Sequence, residues 1–212
     1  MDAWDRAWLV VLVWFGLVVA VFSLARNWPL VSFALAFGIG FGAAAWAVRK
    51  RVRPAFRRLG LANFGGFVIL AVAISSGEEV LCWALGNRIA NPELWKDLLL
   101  VNGTWLVWYA SWYYVLSKRF AYREKEALLL AASTGILYEY LSSGAFLTNP
   151  AGILLGAPLA AVVYAALFVL PMQLIDFTGK EESAMKYAAS PVLPYLLSFA
   201  AAIPLVLLLY VV

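Results

Sequence analysis

The sequence predicts an all-α fold: a single polytopic membrane helix bundle over residues 1–212, with seven transmembrane helices, the N-terminus cytoplasmic and the C-terminus outside. Three observations carry this. Apolar side chains make up 65% of 212 residues and charged ones 13%, too little polar surface to cover a water-soluble globule. The apolar residues fall in seven runs of about 20, the length that crosses roughly 30 Å of hydrocarbon at about 1.5 Å per residue. Basic residues gather on alternate connections. Barrel strands would alternate in hydrophobicity over about 10 residues, and these runs do not.

The first run, 7–25, is longer than a signal-peptide core and lacks a small-residue cleavage site, so it is expected to stay in the mature protein. Only Arg26 and Asn27 separate it from the second, 28–48, which predicts a tight helical hairpin. The third, 59–85, carries two adjacent acids, Glu78 and Glu79. The fourth, 98–117, reads VNGTWLVWYASWYYVLSK and stops at Lys118. The fifth, 127–147, starts after Lys125 and contains Glu139. The sixth and seventh, 151–175 and 192–212, hold Pro158, Pro171, Pro194 and Pro204, which kink helices and free backbone carbonyls. Connections are short, the longest on the cytoplasmic side being FTGKEESAMKYAASP from Phe177 to Pro191, so any chemistry is expected inside the bundle.

Cytoplasmic connections collect Lys and Arg. Between runs two and three lies RKRVRPAFRR, with Arg49, Lys50, Arg51, Arg53, Arg57 and Arg58. Placing it inside also places Arg6, Lys118, Arg119, Arg123, Lys125, Lys180 and Lys186 there, and leaves only Arg26, Arg88 and Lys96 outside. This predicts a multi-pass protein of the cell membrane. The six basic residues of the loop are expected to attract anionic lipid, and no nucleic-acid partner is expected.

One cysteine, Cys82, excludes an internal disulfide. Zero histidines removes the commonest ligand of zinc, iron and copper and the usual base at neutral pH, so no metal or other cofactor is expected.

The acids stand out because an ionised acid at the bilayer centre costs about 2.5–3.5 kcal/mol to insert, and such residues usually face the bundle interior and mark a site. Glu139 lies 14 residues after Lys125, roughly 21 Å into the core. Glu78 and Glu79, counted from Arg58, fall roughly 30 Å along and so near the outer boundary unless the helix tilts or shifts in register. Neighbours on a helix point about 100° apart, so only one of the pair can aim at the bundle centre. In run four, Asn102 precedes a stripe of Trp105, Tyr109 and Trp112. Trp105 and Tyr109 are too deep for an interfacial belt; with Tyr138 and Tyr140 beside Glu139 they fit the wall of a cavity with acids at its mouth, although packed core aromatics give the same spacing.

Buried carboxyls hold a proton or a cation, and aromatic faces attract desolvated cations by about 2 kcal/mol or more. The expected site is therefore Glu78, Glu79, Glu139, Asn102, Trp105, Tyr109 and Tyr138, binding or transporting a cation or amphiphilic small molecule with proton exchange. Two other readings stay open for the acids: a protonated Glu139 hydrogen-bonded between helices, and a solvated, interfacial Glu78 and Glu79. A non-catalytic membrane subunit is a further alternative. Prenyl transfer is disfavoured, because no DDxxD-like cluster is present to hold a metal diphosphate. A weak echo relates Ser75-Ser76-Gly77 with Gly86 to Ser133-Thr134-Gly135 with Gly144, two parallel runs with a glycine nine residues on.

The stretch EEVLCWALGNRI resembles the EExxxR helix of the CAAX-protease and bacteriocin-processing family, and GILYEYL resembles the FxxxE helix of PrsW-type membrane proteases. The resemblance covers about a dozen residues and implies an intramembrane hydrolase whose paired glutamates activate water or bind metal. Glu78 and Glu79 match the paired acids. The arginine position is Trp83, the phenylalanine position is Gly135, and the histidines of those families have no counterpart.

Overall fold

The computed structural model describes residues 2–87, 91–142 and 144–210, and for Tyr210 the backbone alone. Arg88, counted above on the outer side, and the last residues of run seven lie outside the described residues. Within them the chain is all-helical: α1 (Ala3–Leu24), α2 (Trp28–Arg58), α3 (Phe64–Ala84), α4 (Leu94–Ser111), α5 (Glu124–Leu137), the short α6 (Ala145–Thr148), α7 (Gly152–Leu174) and α8 (Met185–Tyr210). Five of these, α1, α2, α3, α7 and α8, are long and apolar enough to cross a membrane. The other two long segments are broken up. α4 is 18 residues carrying Lys96 and Asp97 before a π-helical stretch at Trp112–Leu116, and α5 is 14 residues before another at Tyr138–Ser142.

Local signals set the ends. Asp2 caps α1 by accepting from the Asp5 amide at 2.8 Å while the Asp5 carboxylate accepts from the Asp2 amide at 3.1 Å, a reciprocal box that satisfies two otherwise orphaned amides. The expected hairpin between α1 and α2 closes through Arg26, at φ 58°, and Asn27, whose amide reaches Phe22 O at 2.9 Å. The third helix starts later than the run of apolar residues. Leu59 to Ala62 form a turn, and Asn63 caps α3 by accepting from the Gly66 amide at 3.0 Å. Gly86 follows the end of α3 at φ 89° and Gly144 caps the start of α6 at φ 70°, a left-handed conformation that side chains with a Cβ rarely adopt.

α7 is the hub. In its apolar window 72% of residues are buried, against 11% in the windows of α1 and α8. α1, α2 and α5 pack around it, α8 lies along α4 and α5, and α3 lies along α4. Close approach needs small residues: a Cβ on Gly38 would meet Val162 at 3.1 Å and one on Gly42 would meet Ala166 at 3.2 Å, so a G-x-x-x-G face seats α2 on α7. The core is aromatic. Trp108, Tyr109, Trp112 and Phe168 form successive ring contacts 4.6–6.3 Å between centroids.

The basic end is tied by charge. Arg49 pairs with Glu124 at 2.8 Å, Arg53 with Asp176 at 2.5 Å and Arg119 with Glu181 at 2.9 Å. Lys186 pairs with Glu126 at 2.9 Å where both side chains are at most 5% exposed, and Lys125 pairs with Asp5.

Candidate functional site

α3 presents Phe67, Ala71, Ile74, Ser75, Glu78 and Cys82 on one buried stripe at spacings of three and four, so Glu78 takes a core position while Glu79 turns partly away. Because α3 begins at Phe64, Glu78 lies 14 residues, roughly 21 Å, along its helix. Glu139 lies 15 residues, roughly 22 Å, along the helix that begins at Glu124. α3 packs on the 3-10 turn Pro171–Leu174, whose Gln173 donates to Glu124 at the start of α5 at 3.1 Å, and Glu78 and Glu139 lie within electrostatic range of each other. α3 thus starts at Phe64, after the turn at 59–62, and not directly after Arg58, which shortens the helical path to Glu78.

A fourth acid, absent from the expected site, joins them. Asp97 is 1% exposed and accepts from the Asn91 amide at 2.9 Å. It stands four residues before Val101 and eight before Trp105, on the same stripe of α4. Glu78 lies within electrostatic range of Glu79, Glu139 and Asp97, and Glu79 of Asp97 and Glu139. Among the described residues no ion pair reaches Glu78, Glu79 or Asp97, and the nearby Lys96 is held by Glu93 at 2.5 Å. Oε2 of Glu78 is sealed from solvent without a hydrogen-bond partner.

Tyr164 of α7 sits beneath the acids and donates to Glu139 Oε1 at 3.2 Å. Its ring stacks on Trp105 at 4.9 Å and on Tyr138 at 6.3 Å, so three of the expected residues gather round one that sequence reading missed. Gly135 makes room for it. Gly77, its counterpart in the echo, has open space instead, so the echo does not extend to the packing. Asn102 works as a clamp: it accepts from Ser75 Oγ at 2.6 Å and donates to Ser76 Oγ at 3.0 Å and Leu98 O at 2.9 Å, which joins α4 to α3 just below the acids. Tyr109 stands apart, packed against Phe67 and Trp108 with its hydroxyl directed at Leu167 O.

The acids line neither of two sizeable cavities. One, about 560 Å³, opens at the basic end; the other, about 750 Å³, is an apolar groove between α1, α2, α5 and α7. Among the described residues no three Cys, Asp or Glu side chains converge at metal-ligand spacing. At the position of the motif arginine, the Trp83 indole donates to Pro92 O at 3.2 Å and brings no cation to the acids. The chain matches no protein-family model, no characterised protein and no solved structure.

Proposed function

We propose that this is a seven-crossing cell-membrane protein, N-terminus cytoplasmic and C-terminus outside, whose Glu78, Glu79, Asp97 and Glu139 carboxyls exchange protons for a cation or cationic amphiphile. The observation that carries the reading is Glu78 Oε2, buried and unpartnered among three further acids. In a medium of low dielectric, like charges this close repel strongly, so the group is stabilised by a bound proton or a bound cation. The two states compete for the same oxygens. Trp105, Tyr138 and Tyr164 add ring faces that favour a desolvated cation.

The test uses purified protein in liposomes with a pH-sensitive dye inside and an imposed pH gradient, adding Na⁺, K⁺ or tetramethylammonium as probes. Wild-type protein is expected to collapse the gradient with at least one probe. Glu78→Gln, with its thermal unfolding checked, is expected to lower that rate about tenfold or more, in line with loss of an essential proton carrier. Glu93→Gln, which alters an exposed acid outside the cluster, is expected to leave the rate unchanged. A gradient untouched by every probe, or wild-type rates in Glu78→Gln, sinks the reading.

A further inference from the structure

The cavity of about 560 Å³ at the basic end falls within the size range of small-ligand sites. Its walls come from the end of α2, the start of α5, and the end of α7 with the segment that follows it. Lys50, Arg53 and Arg57 share one face of α2 at spacings of three and four, and Arg123 faces them from the turn before α5.

These cations are not equivalent. Arg53 is fully engaged, donating to Asp176 at 2.5 Å, to Gln173 O at 2.7 Å and to Ile175 O at 2.7 Å. Glu124, the acid in the wall, is already held by Arg49 and by Gln173. That leaves Lys50, Arg57 and Arg123 with no ion pair among the described residues, around a concavity whose acids are taken. Three like charges round a hollow raise the local potential and are relieved by an anion. Two of the three are guanidinium groups, whose forked donors match phosphate oxygens in pairs. Tyr122 and Phe177, packed edge to face at 6.0 Å, give the same cavity an apolar wall for a carbon skeleton.

We infer that this cavity binds a phosphate-bearing anion, either a soluble phosphorylated solute or the headgroup of an anionic lipid, through Lys50, Arg57 and Arg123. The six basic residues of RKRVRPAFRR thereby divide into three kinds. Arg49 and Arg53 hold the wall together, Lys50 and Arg57 face the cavity, and Arg51 and Arg58 point elsewhere.

Binding is measured on the full chain in nanodiscs of phosphatidylcholine with glycerol 3-phosphate as titrant, and in parallel by the rise in unfolding temperature when phosphatidylglycerol is added to the discs. Lys50→Gln/Arg57→Gln/Arg123→Gln is expected to weaken the response about tenfold or more, and Arg123→Gln alone by a smaller factor, as loss of charge-assisted phosphate contacts predicts. Arg51→Gln/Arg58→Gln removes charge from the same loop outside the cavity and is expected to bind as wild type. A response to glycerol 3-phosphate assigns the site to a soluble anion, and a response to phosphatidylglycerol alone assigns it to a headgroup. No response to either, a triple variant that binds as wild type, or an equal loss in the control pair overturns the assignment.

Discussion

Gly135 and Tyr164 touch so closely that a methyl group on Gly135 would lie 2.2 Å from Cγ of the tyrosine ring. That contact lets the ring cross α5 and place its hydroxyl 3.2 Å from Glu139, four residues further along the same helix.

Gly135→Ala is therefore expected to destabilise the bundle by about 1–3 kcal/mol, the usual result of overpacking a filled core. Tyr164→Phe keeps the ring and removes the hydrogen bond to Glu139, at a cost of about 0.5–1.5 kcal/mol. Thermal or denaturant unfolding in one detergent compares the two. Wild-type stability in Gly135→Ala would mean that the ring has another place to go.

Lys186 and Glu126 form the most deeply buried ion pair described, 5% and 3% exposed, and Lys186 also donates to Ala121 O at 3.0 Å. Lys186→Met leaves the Glu126 carboxylate without its cation, for an expected loss of about 3–5 kcal/mol, whereas Lys186→Met/Glu126→Leu is expected to recover a good part of it. A double-mutant cycle in unfolding free energy measures the coupling. If the double variant is no more stable than Lys186→Met, the pair is not the reason for the loss.

Arg53 beside Asp176 holds that carboxyl below the usual carboxylate range, and the nearby Lys118 and Arg57 act in the same direction. A depressed folded-state pKa contributes stability above the ordinary aspartate value, about 4, and that contribution fades as pH falls through the lowered one. The Asp176 side chain is 61% exposed, so solvent screens the pair and the effect is small. Unfolding temperature is thus expected to fall as pH drops below about 4, with a shallower slope there in Asp176→Asn. An identical slope in both proteins would remove Asp176 from the account. Arg53→Gln is expected to cost stability at pH 7 as well, because Gln173 O and Ile175 O lose their donors.

The candidate site was partly legible. Glu78, Glu79 and Glu139 attract notice because acids are costly in apolar runs, Trp105 because it continues a stripe from Asn102 too deep for an interfacial belt, and Tyr138 because it adjoins Glu139. Asp97 escaped because it precedes the apolar run of α4, although its spacing from Val101 and Trp105 puts it on the buried stripe. Tyr164 gave no local signal: amid the apolar residues of α7 a tyrosine reads as packing, and its role comes from a gap left by a glycine on another helix. Asn102 was noticed for its amide, but the serines of α3 that engage it lie 26 and 27 residues away.

Composition and the lengths of its apolar runs were enough to determine an all-helical chain with helices long and apolar enough to cross a membrane, because the cost of placing backbone and charge in hydrocarbon acts on each residue wherever its neighbours lie. The position of Glu78 along its helix turned on a four-residue turn and an asparagine cap, and the division of labour among six similar arginines and lysines turned on which carboxylates and carbonyls stood within 3 Å of them. Those are distances between segments far apart in sequence, set by how α2, α3, α5 and α7 pack, and only the tertiary structure decides them.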